Sequence, residues 1–185
     1  MSEVSMTDES LSRATALRAA FDRSFAEPSR LDMTPMEDLL AVRVGDDVFA
    51  IRLSEIVGLY AGKKVTRVPG GDPALLGIAG FRGAIQPVYG LATLLGRPVE
   101  AAPRWMGIAA AAPIALAFDG FDGHVRVASE TIRPSDPSTK EMPYARDFVP
   151  VQQFVRPILH LPSILDAIGA QRQAVDQRRR GSVKV

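Results

Sequence analysis

Residues 75–96 read LLGIAGFRGAIQPVYGLATLLG. Leu75–Ala79 and Ala84–Tyr89 are two apolar runs of strand length, rich in branched side chains and separated by Gly80–Gly83, which predicts a hairpin. Pro87 lacks an N–H, so it belongs at an edge or a bulge. Leu91–Leu95 predicts a single helical turn, stopped by Gly96-Arg97-Pro98. Gly80 and Gly83 can adopt positive φ or admit a neighbouring backbone. Arg82 between them then stands clear of the turn with five planar donors.

On the N-terminal side the period is two. Leu40, Val42 and Val44 share one face, with Ala41 and Arg43 on the other. Gly45-Asp46-Asp47 supplies a turn, and Phe49, Ile51 and Leu53 point inward from the next strand. Ser54–Ile56 predicts one helical turn, and Val57–Tyr60 and Lys64–Val68 two short strands around Ala61-Gly62-Lys63. Residues 69–73 form a loop, because two prolines and two glycines cannot sustain a ladder. On the C-terminal side, Trp105–Ala110 and Ile114–Phe118 predict a hairpin. His124–Ala128 and Arg156–Leu161 are further strands, and Pro162–Gln177 is a helix with Ile164, Leu165 and Ile168 inward. Residues 131–150, rich in proline, serine and aspartate, read as a long surface connection. Closely spaced short strands point to small barrels, not a parallel α/β sheet.

Residues 1–36 stand apart as an extension. Leu11, Ala14, Leu17, Phe21 and Phe25 recur at helical spacing, and Glu27-Pro28-Ser29 breaks the pattern. Residues 37–169 form the domain, and 170–185 a basic tail with five basic residues against Asp176. Arg178-Arg179-Arg180 suits the negative end of a helix dipole.

The 185 residues support one compact domain, or two small lobes sharing a core. Twenty-two basic against 21 acidic residues give no overall pull toward nucleic acid or anionic lipid. With no cysteine there are no disulfides, thiolate metal sites or cysteine nucleophiles. No secretory signal and no apolar run of about 20 residues is evident, so the expectation is a cytoplasmic protein without direct membrane insertion.

Catalytic chemistry needs titratable groups that converge. His124 and His160 each sit inside an alternating strand, where histidine is ordinarily half-buried and satisfied. Asp119-Gly120-Phe121-Asp122-Gly123 predicts a turn, with one aspartate capping backbone N–H groups; it lacks the further ligands of a calcium loop. No phosphate-binding glycine loop is present. The expectation is a binding module with no catalytic residue, no metal and no cofactor.

From Gly77 to Leu91 the chain reads G-I-A-G-F-R-G-A-I-Q-P-V-Y-G-L. This resembles the CheW-like domain pattern G-V-x-N-L-R-G-x-I-x-P-V-x-D-L. The likeness spans about residues 39–168: the opening LLAVRVGDDVFAIRLSEIVGL, then VTRVP at 65–69, the stretch at 114–134 and the closing RPILHLPSIL. Gly80, Gly90 and Pro162 stand where the family has asparagine, aspartate and aspartate, which implies a divergent member with fewer local side-chain bonds. The resemblance implies two intertwined five-stranded SH3-like β-barrels with a C-terminal helix, here with an N-terminal helical extension. It implies a non-catalytic adaptor in a chemosensory array, coupling the cytoplasmic tip of a chemoreceptor to the regulatory domain of a CheA-type histidine kinase. Receptor-side positions are Gly77, Arg82 and Gly83; kinase-side positions are Leu53, Glu55, Ile56, Val57 and Gly58, with Arg52 and Glu55 rimming an apolar patch. The alternatives are a scaffold that binds receptors or other CheW-like proteins but not the kinase, and, more distantly, a small-barrel enzyme or nucleic-acid binder.

Overall fold

The computed structural model describes residues 34–182, apart from 70, 100, 136–141, 143 and 152. The helix expected within residues 1–36 lies outside them, save that Met36 opens the first strand.

Strands β1 (Met36–Val44) and β2 (Asp47–Arg52) form the first hairpin, turned at Gly45 with φ +59°. A 3-10 turn, Leu53–Glu55, leads to β3 (Ile56–Ala61). The decisive stretch then gives β4 (Leu75–Phe81), β5 (Ala84–Gly90) and the helical turn α1 (Leu91–Leu94). The turn α1 closes as expected: Arg97 N–H donates to Ala92 O and Gly96 N–H to Thr93 O, with Gly96 at φ +66°. There follow β6 (Trp105–Ala109), β7 (Ala115–Phe118), β8 (Gly120–Ala128), β9 (Arg133–Pro134), β10 (Ala145–Val151), β11 (Phe154–Leu159) and the helix α2 (Leu161–Ser182). The protein is mostly β, in two sheets: six strands in the order β8-β1-β2-β11-β10-β9, and five in the order β3-β6-β7-β5-β4. The second sheet is one continuous stretch of chain, inserted between two strands and four strands of the first.

Burial explains how the sheets sit together. One cluster joins Leu40, Val42, Phe49 and Ile51 of the first sheet to Tyr89, Leu116 and Phe118 of the second, and to Leu161, Ile164 and Ile168 of α2. Each sheet also holds a cluster on its other face: Leu39, Ala50, Val149 and Ile158 in the first, and Ala79, Phe81, Val88, Met106, Ala115 and Ala117 in the second. The central strands are therefore buried on both faces, and β7 alternates small Ala115 and Ala117 toward one cluster with large Leu116 and Phe118 toward the other.

Several expectations change. Ala41 is buried, because β1 lies between β8 and β2 with a cluster on either side. Leu53 is 39 % exposed, since the strand ends at Arg52 and the 3-10 turn rotates the next side chain outward. Lys64–Val68 is not a strand: Thr66 alone bridges to Ile78, donating at 2.8 Å and accepting at 2.9 Å. The Asp119–Gly123 turn is instead the start of β8, which pairs with β1 across a bulge at Ala41/Val42 and takes φ +132° at Gly123. Its Asp119 does cap a backbone N–H, that of Gly45, at 2.7 Å. Residues 131–150 are not merely a connection, for they carry β9 and β10. Val149 is fully buried there, and Pro150 sits without harm on a strand whose outer side is paired only at Asp147 and Phe148. The C-terminal helix continues through Ser182, beyond the expected Gln177. The sheets have six and five strands where five and five were expected.

Candidate interaction surface

The β4–β5 turn is tighter than four residues. Phe81 pairs with Ala84, so Arg82 and Gly83 alone make the turn, at φ +46° and +84°. Positive φ at both central residues matches the right-handed twist of a hairpin, and the first of them ordinarily calls for glycine or asparagine. An arginine there carries a left-handed backbone cost of ~1–2 kcal/mol. Its guanidinium has no hydrogen-bond or ion-pair partner among the described residues. Backbone strain at a bulky, unpaired, exposed cation is a reason to look for a ligand rather than for a fold contact. Ile85, not singled out from the sequence, is 75 % exposed beside it. Its cross-strand partner is Gly80, which has no side chain to cover it; that pairing was the available signal.

Gly77 is placed differently. At φ +146° it faces the Thr66 carbonyl, which a Cβ would overlap. Its glycine is demanded by the Thr66–Ile78 bridge. Gly80 has no such neighbour.

The positions expected to face the kinase separate into two groups. Leu53 and Val57 are exposed, at 39 % and 59 %, Val57 on the edge strand β3. Ile56 is half-buried against the central cluster, where its side chain lies over Gly107. Gly58 leaves room for the Tyr60 ring. Glu55 turns inward and accepts the Leu161 N–H, the first of α2, at 3.0 Å. A carboxylate there meets the positive end of a 22-residue helix. Glu55→Ala is expected to lower stability by ~1 kcal/mol, checked by urea unfolding, with Glu55→Asp losing less only if its shorter arm still reaches. Arg52 likewise is no loose rim residue. It donates to Glu37 Oε2 at 3.0 Å and Asp147 Oδ2 at 2.6 Å.

Neither histidine joins the turns. His124 Nε2 lies 2.9 Å from Asp38 Oδ1 on the pair β8·β1. His160 precedes α2, where its Nδ1 accepts the Ser163 N–H at 3.3 Å, an N-terminal cap. Among the described residues no three of histidine, cysteine, aspartate and glutamate come together, and no helix is long and apolar enough to cross a membrane.

Residues 38–169 match the model of the CheW-like domain family. The chain is 25 % identical over 133 residues to a probable chemotaxis protein CheW of Rhizobium etli, covering 69 % of this chain and 86 % of that protein. Its fold is similar to the crystal structure of the scaffolding protein TtCheW from Thermoanaerobacter tengcongensis, with a TM-score of 0.61 at 15 % identity over 67 % of this chain and 88 % of that one.

Proposed function

The chain belongs to the CheW-like domain family, and on that premise we propose that it is a non-catalytic adaptor of a chemosensory array. It couples the cytoplasmic tip of a chemoreceptor to the regulatory domain of a CheA-type histidine kinase, and it works in the cytoplasm beside membrane-bound receptors. The same reading takes each sheet as an SH3-like barrel. In support, the chain leaves edge strand β3 and its next segment bridges, through Thr66, to the opposite edge strand β4, while each sheet encloses its own apolar cluster.

The observation that carries the reading is the Arg82–Gly83 turn: a strained, exposed cation with no partner among the described residues. Such a group can bond carboxylates or carbonyls of a receptor tip. Arg82→Ala is expected to leave the unfolding midpoint within a few degrees of wild type and to lose capture on immobilised receptor tips. Undiminished capture sinks the assignment. On the kinase side, Leu53 and Val57 supply the apolar contact. Val57→Asp places an unpaired charge in it and is expected to weaken binding to the kinase regulatory domain at least ~tenfold, or ~1.4 kcal/mol, in titration calorimetry. Wild-type affinity refutes it.

A second reading is favoured by the inward turn of Glu55 and Ile56, which leaves only part of the expected kinase face free. In it, the protein binds receptors or other CheW-like proteins and not the kinase. Co-purification with the cognate kinase separates the two.

A further inference from the structure

A hollow of about 510 Å³ opens beside the second sheet, in the segment just past β3. Its apolar wall is Val65, Leu76, Val99 and Met106, and its rim carries Lys63 and Arg67. It shares Leu76 and Val99 with a narrow cleft that runs inward past Ala92 to Phe118. No acidic side chain among the described residues lines it, and Asp119 at the end of the adjoining cleft is engaged by the Gly45 N–H; Glu100 lies outside the described residues. Lys64 and Arg104 flank the same segment, since Gly62 N–H donates to the Arg104 carbonyl at 2.8 Å.

None of Lys63, Lys64, Arg67 and Arg104 has an ion-pair partner among the described residues. The Lys63 ammonium lies 5.4 Å from the Tyr60 ring centroid. Val99 is left 60 % exposed at the mouth. The segment is held in place by the two Thr66–Ile78 hydrogen bonds, so the rim is set before any ligand arrives. An apolar recess with two cations on its rim, neither in an ion pair among the described residues, has the form of a hot spot that takes one large side chain and pairs its neighbours. A membrane surface would call for a protruding apolar wedge, and single-stranded nucleic acid for exposed stacking aromatics. The wall here is concave and aliphatic.

We propose that this hollow binds an acidic peptide segment of a partner protein, taking one or two large apolar side chains into the recess while flanking carboxylates meet Lys63 and Arg67. The proposal stands apart from the receptor and kinase assignments, because none of their residues lines the hollow.

The test is fluorescence anisotropy of the full-length protein with a labelled synthetic peptide, a leucine–phenylalanine pair flanked on each side by two glutamates. Saturable binding is expected, weakened at least tenfold by the double variant Lys63→Glu/Arg67→Glu and by raising salt from about 0.05 to 0.5 M. Peptides with lysine for glutamate, or serine for the apolar pair, are expected not to bind. Ala102→Trp, which fills the recess without altering charge, is expected to abolish binding, and serves if the charge-reversed protein does not fold. Circular dichroism melting checks both variants. Absence of saturation, equal binding of the lysine peptide, or binding indifferent to both variants overturns the proposal. So does retention on phosphatidylglycerol vesicles without peptide binding, which would make the hollow a lipid site.

Discussion

Gly77→Ala is expected to cost the domain ~3 kcal/mol, lowering its thermal midpoint by roughly 6–12 °C. Two effects add. At φ +146° an alanine sits in backbone space that L side chains rarely adopt, at ~1–3 kcal/mol. The new Cβ also overlaps the Thr66 carbonyl, so the Thr66–Ile78 hydrogen bonds of 2.8 and 2.9 Å must open, at ~1 kcal/mol each. Thermal and urea unfolding check the result. Gly80→Ala, three residues along the same strand but with open space around it, is the control. It is expected within ~0.5 kcal/mol of wild type, or slightly stabilised by a stiffer unfolded chain. A Gly77→Ala protein with wild-type stability would remove the close approach of the 62–68 segment from this account. The experiment bears on function as well: receptor capture lost in Gly77→Ala follows from a displaced edge, whereas capture lost in Arg82→Ala with the midpoint held does not.

Arg52→Met is expected to cost ~2 kcal/mol, more than its modest surface suggests. The guanidinium ties β2 to Glu37 on β1 and Asp147 on β10, with the arginine side chain 20 % exposed. Methionine keeps much of the stem's packing but leaves two carboxylates without their shared cation. The figure stays below that of a fully buried pair, because Glu37 and Asp147 remain a third and a quarter exposed. Desolvation lowers the Arg52 pKa, but the Asp147 hydrogen bond and the charges of Glu37 and Asp147 outweigh it, and the net direction is up. With the folded value above the unfolded one, this contribution is complete below the ordinary arginine range and is lost only as pH rises through it. Arg52→Met should therefore show its full deficit at pH 7 and at pH 10 alike. The double variant Arg52→Met/Asp147→Asn should regain part of the loss; strict additivity would mean the pair does not interact.

These two residues also mark how far the sequence could be read. The three hairpins, the stop after α1 and the C-terminal helix follow from local signals: apolar runs of strand length, Gly45 and Gly83 in two of the turns, and Gly96 past a helix end. A strand without alternation defeats that method. β10 carries Arg146, Asp147 and Pro150, so its composition resembles a loop, and pairing with β11 and β9 makes it a strand. Lys64–Val68 has the opposite character. It is rich in β-branched residues, Val65, Thr66 and Val68, but the chain gives it one partner residue, Ile78, and no ladder. Arg52 and Glu55 looked like a polar rim because a charged residue at a strand end is ordinarily solvated. Their partners, Asp147 and Leu161, lie 95 and 106 residues away, a separation no local pattern reports.

The stretch from Leu75 to Gly96 shows where the division falls. By itself the sequence determined two strands, a turn bearing Arg82 and a helical stop, because each depends on residues within a few positions of one another. The tertiary structure alone decided that the turn is two residues with a strained arginine. It alone decided that Gly77 is reserved for the Thr66 carbonyl, and that Tyr89 joins the core shared by both sheets. Those outcomes depend on which distant backbone arrives alongside. Hydrophobic burial brings the second sheet and α2 against the first, and that attraction is set by total apolar surface, not by order along the chain.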